Sequence, residues 1–388
     1  MRKIIIATVG RSDYGLCEPV MDRIAADPSL TYGLLVSGAH LSEKSGFTIT
    51  EIEARGRPIV AKIKARDTFG RQAEMAAATG EILTGCAAVF AENRPDILVV
   101  LGDRFEMFAI AAAAVPFNIP IAHIHGGELS FGAIDDVLRH AITKMSHLHF
   151  ASTREYADRI IRMGEDPARV FASGAPGLDN IRPDQLPSRA DLTNRFGIPL
   201  DDAPIMVTFH PVTRQFEEAE RQVAELLAAL RTVDVPIVIT APNADAGSET
   251  IRRALRDFVD SRDKAWLVES FGSLNYLAML REARAMVGNS SSGIVEAPSF
   301  GLPTVNVGDR QQGRTRAANV IDVDCQRDAI VAGIRRAIDP AFRESINGKA
   351  NPYGDGHAAE RIIDVLKSVE LGDSLSTKRF YDGPSGSK

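Results

Sequence analysis

The sequence predicts an α/β protein with two doubly wound, Rossmann-like domains that face a cleft, and three observations support this prediction. The chain has 388 residues, more than a single hydrophobic core usually holds. Short apolar runs alternate with longer amphipathic stretches, which is the pattern of βαβ units. The alternation stops at residues 181–204, which contain four prolines, and then restarts.

In the first domain, residues 1–180, the expected strands are continuous apolar runs. Strands of a parallel sheet are buried on both faces, so apolar and polar residues do not alternate along them. We expect strands at 4–9, 34–36, 97–101, 119–124 and 170–172. We expect helices at 71–91, 105–114, 135–147 and 154–163.

The second domain, residues 205–370, repeats this rhythm after a linker at 181–204, and a frayed tail, 371–388, follows it. We expect strands at 205–209, 235–240, 266–268, 285–287 and 304–307. We expect helices at 217–231, 248–259, 273–281 and 328–338. Ligands of doubly wound domains bind outside the carboxyl ends of the strands, so we expect the site between the two domains at those ends.

Composition restricts the classes of partner. The net charge is −6 and no basic block is present, so the phosphates of a nucleic acid or an anionic membrane would not be neutralised. The three cysteines are far apart and lack metal-ligand spacing, which favours a reducing compartment. The N-terminal apolar run is too short for a signal sequence or a membrane span. We therefore expect a cytoplasmic protein without a nucleic-acid or membrane partner.

The segment AMVGNSSSGIVEAPSFG, residues 285–301, ends an apolar run in small polar residues at the mouth of an expected helix. Amide hydrogens at a helix N-terminus bind anions, and Ser290 and Ser291 add hydroxyl donors. Capping by one Ser or Asn is the simpler explanation, but three consecutive serines exceed what one cap requires. Glu296, further along, could accept hydrogen bonds from ribose hydroxyls or be a solvated helix residue. The segment predicts an anion site.

Two further loops follow strands of the first domain. In TVGRSDYG, Arg11 could bind a phosphate through two N–H groups, and an ordinary surface arginine is the alternative. In VVLGDRFE, Asp103 and Arg104 come directly after a buried strand, and a local ion pair or a helix cap is the alternative. The TVGRSDYG loop has neither dinucleotide-binding nor P-loop glycine spacing. Its position, like that of Asp103 and Arg104, favours function.

The segment IPIAHIHGGELSFGAIDDVLRHAITK, residues 119–144, is the densest in ionisable residues. His125 and Glu128 flank two glycines at a strand end, an arrangement that is costly unless the backbone must approach something closely. Asp135 begins a helix whose charges are spaced for i,i+4 ion pairs, so a structural role is the alternative there. No HExxH-type spacing supports a metal site. The histidines that we expect to be structural are His123, His147 and His149.

The second domain contributes polar residues after its own strands. His210 follows its first strand, Asn243 its second, and Arg310 the strand beyond the serine segment. Arginines, a histidine and the serine segment would then meet several carboxylates. This combination predicts diphosphate recognition together with acid/base chemistry.

Taken together, eight motifs resemble the hydrolysing UDP-N-acetylglucosamine 2-epimerase family of bacterial sialic and nonulosonic acid pathways. They are GDRFE, HIHGGE, GAIDD with RHAITK and SHLHF, GAPGLDNI, FHPVT, PNADAGS, GNSSSGIVEAPSFG and GDRQQGR. One such motif is weak evidence, whereas eight in order, over nearly the whole chain, are specific. The resemblance implies a glycosyltransferase-B-like architecture, in agreement with the two predicted domains.

The resemblance also implies a reaction without a cofactor or a metal. UDP leaves UDP-N-acetylglucosamine by anti elimination to give 2-acetamidoglucal, and water then adds to give N-acetylmannosamine. Catalytic roles are implied for Asp103, Asp135 and His210, with Arg104 and Glu128 beside them. His125 is a further candidate for the proton acceptor, since some relatives have glutamate there. The UDP-binding residues implied are Arg11, Asn243, Phe271, Ser290, Ser291, Glu296 and Arg310.

Three alternatives stay open at this point. The same chemistry could act on a UDP-2,4-diacetamido-2,4,6-trideoxyhexose of the legionaminic acid pathway, because no residue fixes the C4 and C6 groups of the sugar. A retaining glycosyltransferase of the same fold would need an acceptor site. A non-catalytic nucleotide-sugar binder would not require Asp103, Glu128 and Asp135 together. The resemblance further implies a homodimer or homotetramer.

Overall fold

Each of two units in the chain has its own parallel sheet with helices on both faces. A computed structural model describes residues 1–43, 47–68, 71–131, 134–212, 217–242 and 248–383. Unit 1 comprises Met1–Leu129, Ile134–Asp179 and Gly356–Lys388, and unit 2 comprises Ser130–Ala133 and Asn180–Asp355. The predicted α/β class with two doubly wound sheets is confirmed.

Unit 1 contains seven parallel strands. Its strands are β1 (Arg2–Thr8), β2 (Leu30–Val36), β3 (Ile59–Lys62), β4 (Ile97–Leu101), β5 (Ile121–Ile124), β6 (Leu148–Ala151) and β7 (Val170–Ala172). The helices between them are α1 (Arg11–Ala26), α2 (Ile49–Ala54), α3 (Gln72–Glu92), α4 (Phe105–Ala114), α5 (Ile134–Met145) and α6 (Arg154–Arg162). The strand order in the sheet is β3-β2-β1-β4-β5-β6-β7.

Strand β1 shows why a continuous apolar run predicts a parallel strand. Ile4, Ile5 and Ile6 are all fully buried. Ile4 and Ile6 belong to the core cluster that contains α1, whereas Ile5 belongs to the cluster on the opposite face with α3 and α4. Both faces of the strand therefore bury side chains, and period-2 alternation has no place in it.

Unit 2 repeats the arrangement with six parallel strands. Its strands are β8 (Ile205–Thr208), β9 (Ile237–Thr240), β10 (Ala265–Val268), β11 (Ala285–Gly288), β12 (Thr304–Val307) and β13 (Val320–Val323). Its helices are α7 (Arg189–Phe196), α8 (Ala219–Leu230), α9 (Ser248–Asp260), α10 (Ser273–Glu282), α11 (Ser292–Val295), α12 (Arg327–Ala337) and α13 (Pro340–Ile346). The strand order is β10-β9-β8-β11-β12-β13.

The segment predicted as a linker, 181–204, instead belongs to unit 2 and contains α7. Ser188 and Asp191 form a capping box at the start of this helix, which satisfies two amide groups of its first turn. Leu192, Ile198 and Leu200 are buried in a core cluster of unit 2. The prolines that suggested a linker stand outside the helix, so they interrupt the βαβ rhythm without separating the segment from the core.

The predicted second domain ends at residue 370, whereas unit 2 ends at Asp355. Two helices follow, α14 (Ala358–Ser368) and α15 (Asp373–Ser376), and both belong to unit 1. The carboxylate of Asp179 accepts hydrogen bonds from the amides of Ala358 and Ala359 at 2.9 and 2.8 Å, which caps α14. Helix α14 then buries its apolar face in the core that contains α1. The predicted tail is thus folded at least through α15.

Within the described ranges, every helix is too short or too polar to cross a bilayer.

Candidate active site

The predicted site residues follow the strands at which each sheet reverses its winding direction. In unit 1 these strands are β1 and β4, and in unit 2 they are β8 and β11. Doubly wound sheets bind ligands at this point, outside the carboxyl ends of the strands. Arg11, Asp103 and Arg104 follow β1 and β4, and His210 and Asn289 follow β8 and β11.

In unit 1, Asp103 and Arg104 are each held by a second ionised side chain. Arg139 on α5 is 3% exposed and forms an ion pair with Oδ2 of Asp103. Arg104 donates from Nη2 and Nε to the two carboxylate oxygens of Glu106, at 3.0 and 3.2 Å. The Glu106 side chain is 4% exposed and that of Arg104 is 47% exposed. A buried glutamate thus orients an arginine that remains open to an anion.

Carboxylates surround the Arg104 guanidinium. Burial opposes its charge, but Glu106, and then Asp13 and Asp135, raise the pKa of Arg104 above its ordinary value. Asp135 lies in the first turn of α5. The structure therefore brings the predicted residues Arg104 and Asp135 into one electrostatic cluster.

A buried polar chain lies beneath the end of β1. Asp13 Oδ2 accepts hydrogen bonds from the Val9 amide at 2.7 Å and from the Thr8 hydroxyl at 2.8 Å. The Thr8 hydroxyl also contacts Nε2 of His40 at 2.9 Å. Burial raises the pKa of Asp13 to about 6, against the opposing effect of these hydrogen bonds. The predicted phosphate ligand Arg11 is exposed nearby in sequence and pairs with Glu51.

His125 and Glu128 form a hydrogen-bonded pair after β5. Nδ1 of His125 lies 2.7 Å from Oε1 of Glu128, and the Ser152 hydroxyl donates to the same oxygen at 2.7 Å. Glu128 is 3% exposed. The backbone of His125 has a φ of 65°, in the left-handed region that residues other than glycine rarely occupy. Two predicted site residues are therefore in direct contact, at a strained position.

The glycines between them contact the protein itself. A Cβ on Gly127, whose φ is 77°, would lie 2.6 Å from the carbonyl oxygen of Tyr156. A Cβ on Gly126 would lie 3.0 Å from Nδ1 of His123. The sequence predicted that the backbone at these glycines closely approaches another group, and that group is the protein itself, packed against this turn. The three histidines predicted to be structural bond protein groups: His123 to the Gly102 carbonyl, His147 to the Ile121 amide and His149 to Glu165.

In unit 2, the backbone of His210 is fixed by Asn289. The His210 amide donates to Oδ1 of Asn289 at 2.7 Å, and Nδ2 of Asn289 donates to the His210 carbonyl at 2.8 Å. Burial, and then the charge of Arg310, lower the pKa of His210 to about 3. His210 is therefore a neutral imidazole over the physiological pH range.

The serine segment turns tightly out of β11. Gly288 has a φ of 140°, and a Cβ there would lie 2.0 Å from the Thr208 carbonyl oxygen, so only glycine fits. Helix α11, Ser292–Val295, has only four residues. Ser291 occupies its N-cap position without a side-chain capping bond. Simple capping therefore does not account for the Ser291 hydroxyl.

The other predicted site residues of unit 2 lie in different surroundings from one another. Nη1 of Arg310 donates to the Asn289 carbonyl at 3.1 Å, so it joins the His210 cluster. Glu296 ends α11, and its charge acts on the buried hydroxyl of Tyr276. The Phe271 side chain is 4% exposed and packs edge-on against Phe196 at 4.6 Å, so it lies in the core. Asn243 lies outside the described residues.

Metal chemistry has no ligand set in the part of the chain that the structure describes. Three or more His, Cys, Asp or Glu side chains do not come together there in a way that could hold a metal ion. The ionisable groups instead pair with arginine, histidine or hydroxyl partners.

A sequence profile described as UDP-N-acetylglucosamine 2-epimerase matches residues 22–367. The chain belongs to the UDP-N-acetylglucosamine 2-epimerase family. The match spans both units, and the resemblance inferred from the eight motifs is confirmed.

Individual relatives of this family cover the whole chain. A Legionella pneumophila protein named UDP-N,N'-diacetylbacillosamine 2-epimerase (hydrolyzing) is 38% identical, over 97% of this chain and 99% of its own length. The Escherichia coli polysialic acid biosynthesis protein P7 is 35% identical, over 99% of this chain and 98% of its own. The first is named as a hydrolysing 2-epimerase, the group to which the motifs pointed, and the second is named for polysialic acid biosynthesis.

Solved structures of the family share the fold. The UDP-GlcNAc 2-epimerase of Neisseria meningitidis, crystallised with UDP-GlcNAc, superimposes with a TM-score of 0.79 at 18% identity. The similarity covers 94% of this chain and 99% of that one. It supports the glycosyltransferase-B-like architecture predicted for the family.

Several residues that lie beside the predicted site residues escaped the sequence argument. Arg139 and Glu106 look like ordinary helix residues in the sequence, yet they hold Asp103 and Arg104. Asn289 and Tyr276 likewise lie beside predicted residues without having been assigned. An informative signal was present in one case: Glu106 is an ionisable residue on a helix of mostly alanine and apolar residues, FEMFAIAAAA, where a charge needs a partner.

Proposed function

We propose that the chain catalyses hydrolytic 2-epimerisation of a UDP-N-acetylhexosamine. UDP is eliminated together with the C2 proton to give a 2-acetamidoglycal, and water adds to give a free sugar of manno configuration. With UDP-N-acetylglucosamine the products are N-acetylmannosamine and UDP. The observation that carries this proposal is that acid/base residues follow neighbouring strands of one sheet in a chain of this family: Asp103 follows β4, the His125 and Glu128 pair follows β5, and Asp135 lies on the next helix.

We assign UDP binding to unit 2. Ser290 and Ser291 offer hydroxyl donors beside the fixed backbone of Asn289, and Arg310 supplies a positive charge. Neutral His210 can act as a hydrogen-bond partner of the diphosphate but adds no charge to it. Glu296 would accept from ribose hydroxyls. Asn243 and Phe271 remain in the proposed set, Phe271 through its main chain because its side chain is in the core.

We assign proton transfer and charge stabilisation to unit 1. The C2 hydrogen is weakly acidic, so its removal needs a positioned base. The departing diphosphate needs donors that are already oriented, a requirement that the Arg104 and Glu106 pair satisfies. Arg11, on the same edge, is the second candidate for the phosphates. Asp103, Asp135 and the His125 and Glu128 pair supply the acid and base groups.

Two sugars are candidates for the substrate. The family description favours UDP-N-acetylglucosamine. The name of the Legionella relative favours a UDP-2,4-diacetamido-2,4,6-trideoxyhexose, which carries an acetamido group at C4 and no hydroxyl at C6. The elimination takes place at C1 and C2 in both, so the chemistry proposed for the site is the same.

The test is proton NMR of the products in D₂O, with each nucleotide sugar supplied separately. We expect free UDP and a free manno-configured sugar that carries deuterium at C2, from at least one of the two. Transfer of the sugar to an added acceptor without a free 2-epimer would indicate a glycosyltransferase. UDP binding by calorimetry without turnover of either sugar would indicate a nucleotide-sugar binder, and both outcomes contradict the proposal. The homo-oligomeric state and cytoplasmic location stay predictions.

A further inference from the structure

When Glu128 is ionised, its contact with His125 fixes the tautomer of the ring. Oε1 of Glu128 lies 2.7 Å from Nδ1 of His125 and accepts the Ser152 hydroxyl at 2.7 Å. A carboxylate cannot donate, so Nδ1 carries the proton when the imidazole is neutral. The other ring nitrogen, Nε2, is then the proton-accepting atom.

Nε2 of His125 is buried and has no hydrogen-bond partner among the described residues. A buried polar atom without a partner costs about 1–3 kcal/mol. The left-handed backbone at the same residue, with a φ of 65°, is a second and independent cost, on the order of 1–3 kcal/mol. Costs of both kinds concentrate at functional sites, where the surrounding structure holds a reactive group in place.

Two of the other candidates for the base, Asp103 and Glu128, are less suited to accept a proton. Asp103 faces the permanently charged guanidinium of Arg139, which is itself 3% exposed. Glu128 uses Oε1 for two hydrogen bonds and is 3% exposed. The His125 side chain is 13% exposed, so the ring borders the surface while Nε2 itself is covered.

We propose that His125 is the catalytic base of the elimination through Nε2, and that Glu128 is a positioning residue rather than a proton acceptor. The proposal rests on the proposed 2-epimerase function. In the step, Nε2 takes the proton from C2 of the sugar, and the C2–H electron pair forms the C1=C2 double bond. The C1–O bond breaks with its electrons on the β-phosphate oxygen. The products are an imidazolium paired with the Glu128 carboxylate, a 2-acetamidoglycal and UDP.

Other titratable or charged groups lie around the His125 and Glu128 pair. On β5, His123 interacts electrostatically with both His125 and Glu128, and burial lowers the pKa of His123 to about 3, so it stays neutral. Further across the sheet, His149 on β6 acts on His123 and is bonded to Glu165. On α6, Arg159 donates to the Gly127 carbonyl and is always charged. Of these groups, Glu128 is the one that is hydrogen-bonded to the His125 ring.

The first test compares kcat and UDP affinity in His125→Gln and His125→Glu. For His125→Gln we expect kcat to fall about 10²- to 10⁴-fold, the usual contribution of a general base, with UDP affinity within twofold of wild type. His125→Glu should recover part of kcat, because a carboxylate also accepts a proton. Its acidic limb in the pH profile should lie at lower pH, since glutamate has the lower unperturbed pKa.

The second test uses Glu128→Gln. The glutamine Oε1 can still accept from both Nδ1 and Ser152, so the ring geometry is kept while the charge is lost. We expect the acidic limb of kcat/KM to move to lower pH, because the imidazole loses a neighbouring negative charge. Replacement of Glu165 by Gln provides the matched control, since Glu165 is bonded to buried His149 at 3.0 Å in the same unit. Glu165→Gln should lower Tm and leave the limb in place.

The outcomes separate this inference from the proposed function. A wild-type protein that releases UDP from neither nucleotide sugar contradicts the function. Wild-type turnover with His125→Gln retaining kcat within threefold contradicts the base assignment alone. An unmoved limb in folded, UDP-binding Glu128→Gln contradicts the positioning role. Should His125→Gln not fold, His125→Glu decides, because an unchanged acidic limb in that variant excludes His125 as the base.

Discussion

The switch-point edges of the two sheets carry opposite kinds of chemistry. In unit 1 the residues after β1, β4 and β5 are ionisable and mutually paired, as in Asp103 with Arg139 and Arg104 with Glu106. In unit 2 the residues after β8 and β11 are mainly neutral, as in His210 with Asn289 and the serine segment. One fold topology thus supplies groups that change charge at one edge and fixed dipoles at the other.

The two histidines illustrate the difference. His210 has a pKa lowered to about 3, so it keeps one protonation state during the reaction. His125 is instead hydrogen-bonded to the carboxyl group of Glu128. A residue that must bind an anion steadily benefits from the first environment, and a residue that must take and return a proton benefits from the second.

The largest expected effect comes from Asp103→Asn in unit 1. We expect kcat to fall about 10²- to 10⁴-fold, because the substitution removes one of the acid/base groups that we propose for unit 1. UDP affinity, which we assign to unit 2, should stay within twofold. Steady-state kinetics and calorimetry measure the two quantities. Asp158→Asn, at an exposed i,i+4 pair with Arg154, is the control and should change neither. Normal turnover by Asp103→Asn would contradict the assignment of the acid/base chemistry to unit 1.

A smaller effect is expected from Asn289→Ala in unit 2. The variant loses both hydrogen bonds to the His210 backbone, at 2.7 and 2.8 Å. Leaving these buried groups without partners costs about 1–3 kcal/mol. If the cost is expressed in binding, UDP affinity falls roughly tenfold per 1.4 kcal/mol. Calorimetry and urea unfolding measure affinity and stability.

Arg262→Ala is the matched control for this prediction. Nη2 of Arg262 donates to the carbonyls of Val233 and Val235 at 2.6 and 3.0 Å, before the start of β9 and thus at the opposite end of the sheet. The variant should lose a similar unfolding free energy and keep UDP affinity. Equal losses of UDP affinity in both variants would show that Asn289 acts through the overall stability of unit 2 and not by holding the His210 backbone.

Much of the fold follows from local patterns in the sequence, and the exceptions have physical causes. Runs such as Ile4, Ile5 and Ile6 predict a strand because both its faces are buried. The placement of α14 in unit 1 depends on Asp179 capping it from a distance of 179 residues, which no local pattern contains. The helix α7 was hidden by flanking prolines, although its capping box was present in the sequence.

Candidate site residues could be predicted where a polar residue directly follows a strand, since topology brings such residues to the carboxyl-end edge of their own sheet. Asp103, His125 and His210 are of this kind. Arg139 and Glu106 lie within helices, and only the tertiary structure shows that they face the strand ends. Phe271 shows the converse: it follows β10 by position, yet its ring is packed into the core against Phe196.

The smallest expected effect concerns the loss of folding stability caused by a buried charge in unit 1, that of Asp13. Burial raises the pKa of Asp13 from 3.8 to about 6, so the folded chain binds this proton more tightly than the unfolded chain does. Its stabilising contribution is complete below pH 4 and is lost as pH rises through about 6. Asp13→Asn keeps an oxygen for the Val9 amide without the charge. It should therefore be more stable than wild type at pH 7.5, by about 1–3 kcal/mol, and similar to wild type at pH 4.

Thermal unfolding at the two pH values measures this difference. The neutral edge of unit 2 provides the contrast, because Asn289 does not titrate in the folded or the unfolded chain and its replacement by Ala should shift Tm equally at both pH values. If Asp13→Asn also gave the same Tm shift at both pH values, the carboxyl of Asp13 would carry no charge cost in the folded chain. The Tm shift of Asp13→Asn could instead be larger at pH 7.5 than at pH 4 while the activity of the variant is lower than that of wild type. The charged edge of unit 1 would then sacrifice stability for catalysis, whereas the neutral edge of unit 2 would not.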